Sequence, residues 1–214
     1  MASRLGRHTV RFESIIWFHF LISSLIVGAH ASLTLGGYDA SRFTPNDVSF
    51  SFAPAPTRQL VVGLKSILYS DANNKNSPLL PQGILTLVDS TTPQIWLPSA
   101  ACQSFEKAFG IIYDPIRNLY LVNSTVHDAL LRQNANITFE LSNTLNGGPS
   151  VQITLPYASF DLEIGPPFAK NVSKYFPLRR AHDDTQYTLG RTFLQESSVP
   201  YYRSLEGKLK VLVT

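Results

Sequence analysis

Asp89 is the residue of this chain best placed to do chemistry. It ends an apolar run, Ile84-Leu85-Thr86-Leu87-Val88, and is followed at once by Ser90, Thr91 and Thr92. Hydroxyls that donate to a carboxylate hold it in one orientation and favour its charged form. A carboxylate so held could be half of a two-carboxylate acid–base site. The same residues also suit a turn in which the hydroxyls cap the chain locally, and the spacing alone leaves both readings open.

The other chemically capable residues give weaker patterns. Cys102 is the only cysteine, which excludes a disulfide framework and a cysteine zinc cage. It lies in a helix-like stretch beside Ala101 and Phe105 and is expected to be a buried, inert thiol. Beyond residue 31 the histidines are His127 and His182, and His182-Asp183-Asp184 lacks the further ligands of a closed metal site. No G-x-S-x-G elbow and no glycine-rich phosphate loop occurs. Arg179-Arg180 is expected to be a solvated surface pair, and Trp96, in Ile95-Trp96-Leu97-Pro98, a core residue.

Asp89 needs elements to position it. The run 84–88 reads as a buried strand delivering it. Val48 to Phe52 alternates as a half-buried strand does, Leu60 to Tyr69 is a further strand, and Asp71 to Pro81 reads as a loop. A helix is expected from Ser99, which could cap it, with Cys102, Phe105 and Phe109 on one face and Gly110 as its stop. A second helix runs from Thr125 to Gln133. Ile137–Leu141 and Val151–Leu155 alternate on either side of Asn146-Gly147-Gly148, the pattern of a hairpin with a long turn. Ser32 to Leu35 could be a strand, and Tyr187–Gly190 is a short strand followed by a helical turn through Phe193 and Leu194.

Composition agrees with a β-rich domain. The chain has 214 residues, 44% hydrophobic and 15% charged, with 13 Phe, 9 Tyr, 14 Pro and 12 Gly. That suits strands and turns more than a helical bundle, and disfavours disorder. The isoelectric point near 9.0 suggests a nucleic-acid partner at first sight. Arg4, Arg7 and Arg11 against Glu13 account for +2 of the net +3, however, leaving residues 32–214 at +1. No basic stripe remains to neutralise phosphates, so no nucleic-acid partner is expected.

Those arginines precede the apolar run Ile15–Val27 and the small-x-small triplet Ala29-His30-Ala31. The pattern reads as a signal peptide over 1–31, or as a membrane anchor over 15–29 if it is not cleaved. The sequons at Asn123, Asn136 and Asn171 fit a secreted glycoprotein.

Three segments in order carry a family likeness: Leu33–Asp39, containing Gly36-Gly37-Tyr38-Asp39; Leu87–Thr92, containing Asp89; and Tyr187–Leu194, containing Leu189-Gly190. Their order and spacing resemble the C-terminal lobe of pepsin-like aspartic proteases (peptidase A1), particularly divergent fungal members. The resemblance covers 32–196, and residues 197–214 form a divergent tail in which Pro200 would be awkward in a central strand. It implies a mostly β fold: a single lobe of the pepsin-like acid protease fold, antiparallel with a few short helices.

The resemblance also implies a site. Asp89 matches the aspartate of the family's Asp-Thr-Gly-Thr motif, Ser90 replaces its threonine and keeps the hydroxyl, and Thr92 matches the residue whose hydroxyl bonds the aspartate. Thr91 stands where the family has glycine, and a β-branched residue is expected to resist that tight loop. In the family two such carboxylates, one from each lobe, share a proton and a water and need no cofactor. No second motif of this type occurs in the chain. The implied function is that of an aspartic-type endopeptidase homologue, cleaving peptide bonds of a protein substrate at acid pH when paired with a second lobe and inactive alone. The alternative is a secreted, non-catalytic pepsin-fold protein that binds a partner, as an inhibitor does.

Overall fold

The computed structural model describes residues 48–51, 59–73, 75–198, 208–210 and 212–213. The expected leader over 1–31, the strand at 32–35 and the Gly36-Gly37-Tyr38-Asp39 segment lie outside the described residues. In chain order the strands begin with β1 (Ser49–Ser51), β2 (Val61–Ser70), β3 (Ser77–Pro78), β4 (Ile84–Val88) and β5 (Ile95–Leu97). Helix α1 (Ser99–Phe109), β6 (Ile112–Asp114), β7 (Leu119–Val122) and α2 (Ser124–Gln133) follow. Then come β8 (Asn136–Ser142), β9 (Ser150–Pro156), β10 (Leu162–Ile164), β11 (Ser173–Phe176), β12 (Leu178–Arg180) and β13 (Thr188–Leu189). Helix α3 (Arg191–Glu196) and the short strands β14 (Ser197–Ser198), β15 (Lys208–Lys210) and β16 (Leu212–Val213) complete the order.

The fold is mostly β with few short helices. The large sheet runs β12-β5-β13-β4-β2-β8-β9, with β3 added beside β2. Most of its pairings are antiparallel, as expected, but β12 on β5 and β13 on β4 are parallel. A second sheet, β10-β11-β7-β6, is antiparallel throughout. Strands β4 and β5 are neighbours in sequence yet do not pair, because β13 lies between them, parallel to one and antiparallel to the other.

Alternation explains the hairpin. Val151, Ile153 and Leu155 are buried while Gln152 and Thr154 are exposed, so β9 lays one face on the core opposite β8. Gly147 and Gly148 turn the chain with φ of 70° and 74°, the left-handed region where a side chain is strained.

Helix α1 buries Ala101, Cys102, Phe105 and Phe109 and stops at Gly110, whose φ is 62°. Ser99 is not its cap: Pro98 occupies that position without a side-chain bond, and Ser99 is already helical. Helix α2 begins at Ser124, one residue before its expected start, because the Asn123 side chain accepts from the Val126 N–H. The faces of α1, β2 and the small sheet meet in an aromatic cluster. Phe176 lies 5.0 Å from Phe160, 5.1 Å from Phe109 and 5.9 Å from Phe105, and Tyr69 meets Phe109 edge-on. No helix among the described residues is long and apolar enough to cross a membrane.

Candidate active site

The chain leaves β4 at Val88, arches over residues 89–94 and returns along β5, with β13 beneath the arch. The backbone ties Asp89 to that strand: its N–H donates to Leu189 O at 3.1 Å, and the N–H of Leu87 donates to Tyr187 O at 2.9 Å. On the far side of β13 the Arg191 N–H donates to Thr92 O at 2.7 Å, and the N–H and hydroxyl of Thr192 reach Pro93 O at 3.2 and 3.0 Å.

Gly190 is the point of closest approach. A Cβ there would collide with the carbonyl oxygens of Thr92 and Gln94, so only glycine lets β13 run so near the arch. Leu189-Gly190, found in the sequence as a strand end, is thus the floor of the Asp89 loop.

The Asp89 carboxylate is half-buried and oriented by its neighbours. Oδ1 accepts the Thr91 N–H at 2.8 Å, Oδ2 accepts the Thr92 hydroxyl at 2.8 Å, and the Thr91 hydroxyl lies 2.8 Å from each oxygen. Three donors converge on an acceptor-only group, an arrangement suited to an ionised carboxylate. Ser90 is half-buried alongside and is not among the donors described. The loop takes Thr91 without backbone strain, because the non-glycine residues with positive φ among the described ones are Asn76, Asn118 and Asn134. The expected conflict between a β-branched residue and this turn does not arise, since the Thr91 side chain is exposed and folds onto the carboxylate.

The remaining candidates fall elsewhere. Cys102 is fully buried, its thiol donates to the carbonyls of Leu97 and Arg179, and burial pushes its pKa up to about 12. Arg179 and Arg180 are not a solvated pair. Arg180 reaches Glu106 at 2.7 Å and the Tyr120 hydroxyl at 2.8 Å, and its guanidinium lies 4.0 Å from the Tyr113 ring centre. Arg179 goes to the opposite face, 5.3 Å from the ring centre of Trp96, which is half-buried rather than in the core. Among the described residues no cluster of three or more His, Cys, Asp or Glu could hold a metal ion. His127 pairs with Asp161 at 2.9 Å, joining α2 to the chain before β10, a contact the sequence did not signal.

No protein-family model and no curated protein matches the chain. Among solved structures it is similar to the crystal structure of aspartic proteinase from Irpex lacteus, with a TM-score of 0.55 and 15% identity over 84% of this chain and 50% of that one. The chain spans about half the length of that structure. The likeness is one of fold: this chain has the architecture of a single lobe of the pepsin-like acid protease fold.

Proposed function

We propose that the chain is an aspartic-type endopeptidase homologue corresponding to the C-terminal lobe, over residues 32–196, and that Asp89 is one carboxylate of a two-carboxylate site. The observation that carries this reading is the strand-buttressed arch that holds the Asp89 oxygens on the Thr91 N–H and the Thr92 hydroxyl. In such a site two carboxylates share one proton and hold a water between them. One takes a proton from the water as its oxygen attacks the peptide carbonyl, and the other protonates the carbonyl oxygen. Like charges at close range keep one of the pair protonated, which sets the working range at acid pH. The second carboxylate must come from another lobe, so the lone chain is inactive.

The test is proteolysis of an acid-denatured protein at pH 3–4 by material from the organism that makes the chain, with wild-type Asp89 or Asp89→Asn at the gene. Proteolysis stopped by a pepstatin-type inhibitor and lost in Asp89→Asn is expected. Proteolysis unchanged by Asp89→Asn refutes the assignment.

One observation favours a second reading, a non-catalytic binding protein. The Thr91 hydroxyl lies 2.8 Å from both carboxylate oxygens, the acceptors that a shared water would need. A stable complex with a partner and no cleavage at any pH supports that reading. In both readings the chain enters the secretory pathway through residues 1–31, either cut after Ala31 or held by residues 15–29.

A further inference from the structure

Beside Asp89, one face of the large sheet carries Trp96 and Arg179, each with a buried side-chain N–H that has no hydrogen-bond partner. On β4 the side chains alternate: Thr86 is buried, Leu85 and Leu87 face the other way, and Asp89, two residues on, continues the face of Leu87. Strand register carries this face across the sheet. Leu87 lies beside Thr188 on β13, Thr188 beside Trp96 on β5, and Trp96 beside Arg179 on β12.

The Arg179 guanidinium packs on the Trp96 indole with 5.3 Å between its carbon and the ring centre. The Trp96 Nε1 and the Arg179 Nε are both buried and neither has a hydrogen-bond partner. Arg191 follows Gly190, and its backbone N–H, donating to Thr92 O, starts its side chain from the Asp89 arch. The positive charges of Arg179 and Arg191 both oppose the rise that burial gives the pKa of the Tyr175 phenol.

Arg117 and Arg180 are each paired with a carboxylate, whereas Arg179 and Arg191 form no ion pair among the described residues. Buried donors without acceptors cost stability unless a ligand supplies the acceptor. A guanidinium already stacked on an indole is pre-organised, and its edge fits a carboxylate through two parallel bonds.

We propose that Arg179, Trp96 and Arg191 form a subsite for the carboxylate of a peptide lying across Asp89, so that the ligand class is an acidic peptide. The identity of the ligand as a peptide rests on the half-site reading above; the carboxylate subsite itself does not. The carboxylate can come from an Asp or Glu side chain or from the peptide's own C-terminus.

The test is titration of the full chain, carrying Trp17→Phe so that Trp96 is the sole tryptophan and is excited selectively at about 295 nm or above, with three pentapeptides at about pH 6, where Glu is charged. One has a central Glu and both ends blocked, one has Gln in its place, and the third has Gln with a free C-terminal carboxylate. The Glu peptide is expected to bind about tenfold tighter than the blocked Gln peptide. That preference is expected to vanish in Arg179→Gln, to shrink in Arg191→Gln, whose side chain stands outside the Trp96 stack, and to persist in Asp89→Asn. An equal advantage for the free-carboxylate peptide alone also supports the subsite and assigns it to a chain terminus. Equal binding of all three peptides, or a preference retained in both arginine variants, overturns it. The catalytic reading is tested by acid proteolysis in the organism's material and the subsite by peptide binding to this chain, so failure of the one and failure of the other are seen in different measurements.

Discussion

Gly190→Ala sets two effects of opposite sign against each other. The φ of Gly190 lies outside the left-handed region, so alanine meets no backbone penalty there. In open space such a change stabilises by about 0.4–1 kcal/mol, because it removes freedom from the unfolded chain. At Gly190, however, the new Cβ collides with the carbonyls of Thr92 and Gln94, which belong to backbone and cannot swing aside. Moving the arch away strains three bonds: Arg191 N–H to Thr92 O at 2.7 Å, and the N–H and hydroxyl of Thr192 to Pro93 O at 3.2 and 3.0 Å. At roughly 0.5–1.5 kcal/mol each, their loss destabilises by about 1.5–4.5 kcal/mol, more than the entropic gain at all but the lowest values. Urea unfolding followed by tryptophan fluorescence measures the difference from the midpoint and slope. A variant as stable as the parent, or more stable, refutes the close crossing of β13 beneath the Asp89 arch.

Three further outcomes concern titration, alkylation and processing. Burial first of all holds the Cys102 thiol and the Tyr69 and Tyr157 phenols at about 12, above ordinary values of 9.0 and 10.0. Below about pH 9 both the folded and the unfolded chain keep these protons, and the groups add no slope. Between about 9 and 12 the folded state holds more protons than the unfolded one, so the melting temperature should fall as pH rises, and a flat profile to pH 11.5 contradicts this. In the folded chain Cys102 should resist iodoacetamide at pH 8 and react in urea. For the secretory route, the intact mass of secreted material should begin at Ser32 and carry glycan at the exposed Asn123 and Asn171; an unmodified, uncleaved chain inside the cell excludes it.

The sequence displayed the elements whose pattern repeats within themselves. Cys102, Phe105 and Phe109 mark the buried stripe of α1 and Gly110 its stop, while Val151, Ile153 and Leu155 mark the core face of β9. Asp89 was legible because it follows an apolar strand and is crowded by hydroxyls. Strands such as Ile112–Asp114, Leu162–Ile164 and Leu178–Arg180 were not, because three residues are too few to establish a period and their pairing is decided by distant partners. Arg179-Arg180 illustrates the difficulty. Adjacent charges look like one solvated pair, but on a strand they point to opposite faces, one to Trp96 and the other to Glu106. The Thr91 bridge was also hidden, since composition cannot tell which hydroxyl folds back onto a carboxylate.

The insertion of β13 between β4 and β5 also governs when the site can form. Thr192 and Pro93, joined across the arch, are 99 positions apart. During synthesis β4 and β5 leave the ribosome long before the strand that must separate them, and neither can complete its hydrogen bonding until it arrives. A loop of that length is closed late and at an entropic disadvantage, so the arch belongs to the slow, non-local stage of folding. A nascent chain broken off before Thr188 therefore holds Asp89 on an unsupported loop, and the carboxylate takes its working orientation only when most of the described sheet already exists.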